Sequence, residues 1–284
     1  MYCYDENADH SVLLTAMTAL LQKESGLTAQ LGAELEFYLM ESKNDEALLA
    51  SISKHCCEQG VPVGAVEKER GTRQYELQLA HHTDALLLAK QLVQLRTIVE
   101  NTAASYGSRA LFDAKPFADE PGSALHIHIS LLDSNHRNQL QKHGTEESDT
   151  MRYALGGLCR LLPESMVFFS PKEEDYQRFV PHMDAPTTVS WGGNNRTTTL
   201  RIPLSDAQNR RIEHRAPAAS SNPYLVITAI LAGIHYGIRE KILPPKRIYG
   251  NSYDEQYALP ALPSTLEKAK ALFEQSLVLG KYFL

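Results

Sequence analysis

Hydrophobic positions along the chain change period several times. In SVLLTAMTALLQK, residues 11–23, apolar side chains recur at helical spacing, which predicts a helix closing near Gly26. AELEFYLM, residues 33–40, then alternates and is rich in β-forming side chains, so a helix feeds a strand. NDEALLASISKHCCEQG (44–60) predicts a second helix ending at Gly60, and TRQYELQLA (72–80) a second strand. DALLLAKQLVQLRTIVENTAASYG (84–107) predicts a long helix with an acidic start and a glycine stop. Strands and helices alternate without the regular short period of a doubly wound fold.

The second half continues the mixture. ALHIHISLL (124–132) reads as a strand, the polar run 133–150 as a surface loop, and MRYALGGLCRLLPESMVFF (151–169) as an apolar helix. TTTLRIPL (197–204) and NRRIEHRAP (209–217) are strand-like. A helix opens at Asn222 and Pro223, where proline suits a first turn, and a last helix capped by Ser264 is expected over 265–283. There is no internal repeat, low-complexity tract or interdomain linker in the pattern, so 1–284 is expected to be a single domain.

Composition narrows the function classes. The 284 residues, 43% hydrophobic and 22% charged, suffice for a sizeable core. A net charge of −6 argues against a nucleic-acid or anionic-membrane partner and leaves a small molecule as the expected one. Cys3, Cys56, Cys57 and Cys159 lack metal-ligand spacing, and the longest apolar stretch, YLVITAILAGI from Tyr224, is too short to span a bilayer. With no basic leader followed by an apolar run, a reducing cytoplasm is the simplest expectation.

Candidate chemistry sits on the strands. The period of two places Glu34 and Glu36 on one face, where they are either a solvated strand face or a pair bridged by a cation. Glu69 precedes the Gly71 turn and Glu76 lies in the strand after it. His126 and His128 share a face opposite Ile127 and Ile129, either as structural histidines or as a metal ligand beside a substrate-positioning neighbour. Arg211, Glu213 and Arg215 align in RRIEHR, and NNRTTTLRIP adds Arg196 and Arg201. Carboxylates with imidazoles and no thiolates suit hard divalent cations such as Mg²⁺ or Mn²⁺. The arginines suit a phosphorylated species.

Six motifs then recur together: GAELEFYL, QYEL, KPFADEPGSALHIHISL, RFVPHMDAP, NNRTTTLRIP and RRIEHRAPAASSNPYL. Their order and spacing resemble the catalytic domain of the glutamine synthetase family from about Gly32 to the C-terminus. FADEPGSALHIHISLLD, EHR and AILAGIHYGI look more like its γ-glutamylpolyamine synthetase (glutamate–putrescine ligase) branch.

The resemblance implies an α+β fold in which antiparallel strands form an open, funnel-like barrel surrounded by helices. ATP would enter one mouth and glutamate the other, with two or three divalent ions at the waist. It assigns Glu36, Glu69 and Glu76 to one ion and Glu34, His126 and Glu213 to another, with His126 also near substrate and His128 beside the nucleotide. Arg178 and Arg215 would hold the substrate carboxylate or the transferred phosphate, Arg196 would stabilise the phosphoryl group, and Arg201 and Arg211 would contact ATP phosphates. Gly122 would let the backbone approach glutamate. Asp184 falls where ammonia-using members carry a flap glutamate, as a shorter proton acceptor or a plain loop residue.

Departures from the pattern are expected to matter. Residues 1–31 would form a short helical segment in place of the family's N-terminal β-grasp domain, and the C-terminus stops short of the final helical segment. Arg73 replaces a glycine, Pro121 stands where glutamine synthetases carry asparagine, and Gln208 occupies a position often basic. Two functions are therefore carried forward. One is an ATP-dependent ligase joining glutamate to an amine, ammonia or a polyamine, as a homo-oligomer or with a partner chain completing the site. The other is a non-catalytic metal- and nucleotide-binding subunit; a different ATP-dependent phosphotransfer on a carboxylate or guanidino substrate is a third possibility.

Overall fold

The protein is described by a computed structural model covering residues 9–41, 44–64, 66–142, 144 and 147–283. Cys3 and the acidic start lie outside the described residues.

Among the described residues, six α-helices and a mixed sheet alternate. Helix α1, Ser11–Ser25, stops where Gly26 turns into the left-handed region at φ 70, and β1, Thr28–Met40, follows. Then come α2 (Asp45–Glu58), β2 (Glu67–Lys68), β3 (Gln74–His82), α3 (Ala85–Ser105) and β4 (Arg109–Leu111). The chain continues with β5 (Leu125–Leu132), α4 (Asp149–Phe169), β6 (Trp191–Gly192), β7 (Leu200–Arg201), β8 (Ile212–His214), α5 (Pro223–Arg239) and α6 (Leu266–Glu274). Asn44, Asp84, Ser148 and Asn222 cap α2 to α5, each side chain accepting a backbone N–H of the first turn.

The sheet order is β2-β3-β1-β5-β8-β7-β6, with β4 also pairing β1. All pairs are antiparallel except β6 with β7. The architecture is thus α+β, and the sheet is open. Strand β1 begins five residues before AELEFYLM. Gln30 and Gly32 interrupt the apolar signal there, but β5 supplies partners as far as Thr28, opposite Leu132.

Strand β5 divides the molecule. Leu125, Ile127, Ile129 and Leu131 join the apolar core, while His126 and His128 line a cavity on the other face. The core continues into α4 and α5, which touch through glycines: a Cβ on Gly157 would stand 2.1 Å from the Gly233 carbonyl oxygen, so any larger residue forces the helices apart. Helix α1 is tied to α5 by His235, whose Nε2 lies 2.8 Å from Glu24 and whose Nδ1 lies 2.8 Å from the Tyr282 hydroxyl.

Other features also differ from expectation: the strand-like stretches 197–204 and 209–217 are paired only over Leu200–Arg201 and Ile212–His214, where β7 and β8 meet. The loop after β5 is partly interior: Asn138, Leu140 and Ser148 are buried, and the Asn138 amide donates to the Gln208 and Arg210 carbonyls at 2.9 and 2.7 Å, lashing the loop to the approach of β8. Helix α6 is capped by Thr265, not Ser264, and ends at Glu274. The Ser276 hydroxyl accepts from Leu279 N–H at 2.8 Å and contacts Glu164, which turns the chain into a 3₁₀ turn over Leu279–Tyr282.

Candidate active site

Strand register builds the site row by row. Glu36 on β1 stands opposite Glu76 on β3, Glu34 on β1 opposite His126 on β5, His128 on β5 opposite Glu213 on β8, and Arg201 on β7 opposite the same Glu213. Paired residues in a sheet bring their side chains to the same face, so residues scattered over most of the chain meet on one wall. They line a cavity of about 380 Å³ together with Glu69, Arg178, Asp184, Arg196, Arg211, Arg215 and Gly122. All the residues that the resemblance assigns to metal, substrate or nucleotide therefore border one space.

Among the described residues, two groups of three bring a ligand atom from each member within 4.8 Å of one another: Glu34, His126 and Glu213, and Glu36, Glu76 and His126. The first is the set expected for one ion. In the second, His126 stands where Glu69 was expected; Glu69 lines the same cavity but belongs to neither group. His126 Nδ1 lies 3.1 Å from Glu34, whereas its buried Nε2 has no hydrogen-bond partner among the described residues and lies 3.9 Å from Glu36. A buried, unpaired ring nitrogen facing carboxylates fits a divalent cation, and the donor set of oxygens plus one imidazole, without thiolate, fits a hard one.

Electrostatics at the wall point the same way. Burial, only partly offset by Arg178, pushes the Glu36 carboxyl up to about 7. Burial followed by the charges of Glu34 and Glu36 pushes Glu76 up to about 9. Burial and then Arg215 depress His126 to about 4, so its imidazole is neutral and ready to ligate. Burial also raises Glu69. Glu213 is held below the usual range because Arg215, His126, His128 and Arg201 outweigh its burial. Burial likewise works against ionisation of Glu34, but the His126 and His128 rings prevail and lower it.

The arginines are not equivalent. Arg201 and Arg215 each donate to Glu213 at 2.6 Å, and Asn194 accepts two further bonds from Arg201. Arg211 donates through Nε to His128 Nδ1 at 3.0 Å, and His128 Nε2 lies 2.8 Å from Glu34 without hydrogen-bond geometry. Arg178 is buried and donates to the Ala216 and Arg215 carbonyls at 2.7 and 2.9 Å, so its first role is to hold the segment that follows β8. Arg196 is exposed at the rim. Asp184 pairs with Arg70 at 2.7 Å in a largely exposed ion pair at the cavity edge.

Several participants escaped sequence reading. Gln74 donates to Glu36 and to the Gly122 carbonyl at 3.3 and 3.0 Å, and the Ala124 N–H adds a 2.8 Å bond to Glu36. Gln78 bridges Glu67 and Glu76 at 3.1 Å each. Gln74, Glu76 and Gln78 share one strand face by the period of two, a signal that was available. A Cβ on Gly122 would lie 2.4 Å from the Ala114 carbonyl oxygen and 2.6 Å from Arg178 Cγ, so close packing already demands glycine there.

Residues 42–284 match the family model described as glutamine synthetase, catalytic domain, and the chain belongs to that family. It is 31% identical to the gamma-glutamylputrescine synthetase PuuA of Escherichia coli (strain K12), over 89% of this chain and 59% of that protein. It is 30% identical to the gamma-glutamylethanolamide synthetase GlnA4 of Streptomyces coelicolor, over 94% of this chain and 64% of that protein. Among solved structures, a GmaS/ADP complex superposes with a TM-score of 0.86 at 26% identity, covering 97% of this chain and 70% of that one. The chain thus spans 59% and 64% of the two curated relatives.

Proposed function

We propose that this chain is an ATP-dependent carboxylate–amine ligase that joins glutamate to an amine through γ-glutamyl phosphate. The observation that carries the reading is the wall of Glu34, Glu36, Glu76, His126 and Glu213, bordered by arginines in one cavity. Relatives bearing the names gamma-glutamylputrescine synthetase, gamma-glutamylethanolamide synthetase and glutamate–isopropylamine ligase support the acid substrate and leave the amine variable.

The reaction asks two anions, a carboxylate and a triphosphate, to meet. Divalent ions, Mg²⁺ or Mn²⁺, when bound by Glu36, Glu69 and Glu76 and by Glu34, His126 and Glu213, supply the charge neutralisation that this meeting needs. Arg201 and Arg211 orient the triphosphate, and His128, fixed by Arg211, keeps its Nε2 toward the cavity. Arg196 at the rim and Arg215 offset charge on the phosphoryl group as a γ-carboxylate oxygen of glutamate bonds to phosphorus and the bridging oxygen departs with ADP. Gly122 admits the glutamate backbone, and Arg178 shapes that wall. The amine nitrogen then bonds to the acyl carbon, phosphate leaves, and Asp184 or water takes the released proton. No protein nucleophile is required.

In this reading residues 1–284 act as one catalytic unit in a reducing, cytoplasmic setting, and a second copy or a partner chain covers the open mouth. Among the described residues no helix is long and apolar enough to cross a membrane, and Cys56, Cys57 and Cys159 are free thiols.

A second reading, a metal- and nucleotide-binding relative without turnover, draws on one observation: Arg201 and Arg215 already neutralise Glu213, each at 2.6 Å. The trap that separates the two is γ-glutamyl hydroxamate formation from ATP, glutamate and hydroxylamine with Mg²⁺ or Mn²⁺. Product that disappears in Glu213→Ala supports the ligase. Thermal stabilisation by nucleotide without product supports the binding subunit.

A further inference from the structure

We infer that Gln74 and Gln78 are positioning residues for a divalent ion at Glu36, Glu76 and His126, each amide aiming one of the carboxylates without neutralising it. The inference rests on the metal site of the ligase reading and deepens it. Register sets the arrangement: Tyr38 stands opposite Gln74, Glu36 opposite Glu76 and Glu34 opposite Gln78, so an amide flanks Glu76 on either side along β3. Side chains on one face of such a pair also reach their diagonal neighbours. Gln74 Nε2 donates to Glu36 across the strands at 3.3 Å, and Gln78 Nε2 donates to Glu76 along β3 at 3.1 Å.

At Glu36 the anchoring falls on one oxygen. Gln74 and the Ala124 N–H both donate to Oε2, at 3.3 and 2.8 Å, while Oε1 is the oxygen 3.9 Å from His126 Nε2, the buried ring nitrogen without a hydrogen-bond partner among the described residues. One oxygen is held and the other faces the ring nitrogen, the arrangement in which an outer partner orients a ligating carboxylate. Glu213 is treated differently, since Arg201 and Arg215 each take one of its oxygens. A neutral amide orients a carboxylate and leaves its charge for the ion, which a guanidinium does not.

The Gln74 amide cannot turn round. Its Oε1 accepts the Gly71 N–H at 3.1 Å and its Nε2 also donates to the Gly122 carbonyl at 3.0 Å. Flipped, it would set oxygen against that carbonyl and Glu36, and its NH₂ against the Gly71 N–H. Gln74 is 2% exposed, and the Tyr38 hydroxyl, 3.4 Å from its Oε1, donates to the Pro121 carbonyl at 2.8 Å. A Cβ on Gly71 would stand 2.8 Å from the same Oε1, so the cluster has no room to rearrange. The donor facing Glu36 is therefore fixed by buried groups outside the metal site.

Titration with Mn²⁺, followed by the electron paramagnetic resonance signal of the free ion, tests this without turnover. Gln74→Met keeps the length and removes both donors, and it is expected to weaken at least one binding step about tenfold or more, the scale of a lost outer partner. Gln78→Met, at a partly exposed position, is expected to do the same and keeps the test decisive if Gln74→Met folds poorly. Tyr38→Phe is the structural control. It loosens the same buried cluster without taking a donor from Glu36, so the melting temperature should fall while every binding step stays within about twofold. Mn²⁺ affinity unchanged within about twofold in both glutamine variants, or weakened as much by Tyr38→Phe as by the glutamine variants, overturns the inference, as does absence of Mn²⁺ binding by the unaltered protein. The hydroxamate trap, run alongside, tests the ligase reading separately. Product from the unaltered protein with unmoved Mn²⁺ affinities in the glutamine variants overturns this inference alone. Weakened Mn²⁺ binding in those variants, with no product from the unaltered protein, overturns the ligase reading and supports the positioning role.

Discussion

Glu36 and Glu76 stand directly opposite each other on β1 and β3, both buried, with burial pushing their carboxyls up to about 7 and about 9. Like charges directly opposite on neighbouring strands destabilise a sheet unless a proton or a cation lies between them. Without a cation, the proton is what holds this pair together near neutrality.

The first consequence concerns pH. Both groups have folded-state values above their ordinary ones, so the stability they contribute is complete below the ordinary carboxylate range and is lost as pH rises through about 7 and about 9. A divalent ion replaces those protons, so its affinity rises over the same window. Melting curves in EDTA and in MnCl₂, taken from about pH 6 to about pH 9, should diverge as pH increases. Parallel curves would mean that no ion sits between these carboxylates.

Glu76→Gln mimics the protonated state permanently. In EDTA at alkaline pH it should stabilise the protein by about 1 kcal/mol, the scale of an opposed like-charge pair, and it should remove most of the stabilisation by Mn²⁺. Denaturant titration with and without metal reads both effects. Destabilisation in EDTA would show that Glu76 is held ionised by contacts other than metal.

Gly122→Ala should cost about 2 kcal/mol, because a new methyl group meets the Ala114 carbonyl as well as the more yielding Arg178 side chain. Urea unfolding would measure the loss. A neutral substitution would mean that the loop carrying Gly122 can withdraw, and that the wall it forms is adjustable.

Much of this site was legible because a strand has a period of two. Glu34 with Glu36, His126 with His128, and Arg211 with Glu213 and Arg215 each fall on one face without knowledge of the fold, and six ordered motifs were enough to place them on one wall. What was not legible depends on distance in sequence. Nothing near Arg70 announces Asp184, and nothing in the polar run after β5 shows that Asn138 turns inward to bind carbonyls near β8. Strand β6, two residues long and paired in parallel with β7, is too short to produce a periodic signal. His126 as a member of both three-residue groups also lay beyond reach, since only the pairing of β1 with both β3 and β5 brings Glu36 and Glu76 to the same ring.

The central claim is that the wall activates a carboxylate by phosphorylating it. Glutamate labelled with ¹⁸O in its γ-carboxylate, incubated with ATP, an amine and Mg²⁺, tests that most directly. Mass spectrometry of the released phosphate should find one labelled oxygen carried over from glutamate, and none when Glu213 is replaced by alanine. Phosphate that gains no label while ATP is consumed would contradict the claim, because the terminal phosphoryl group would then have gone to water.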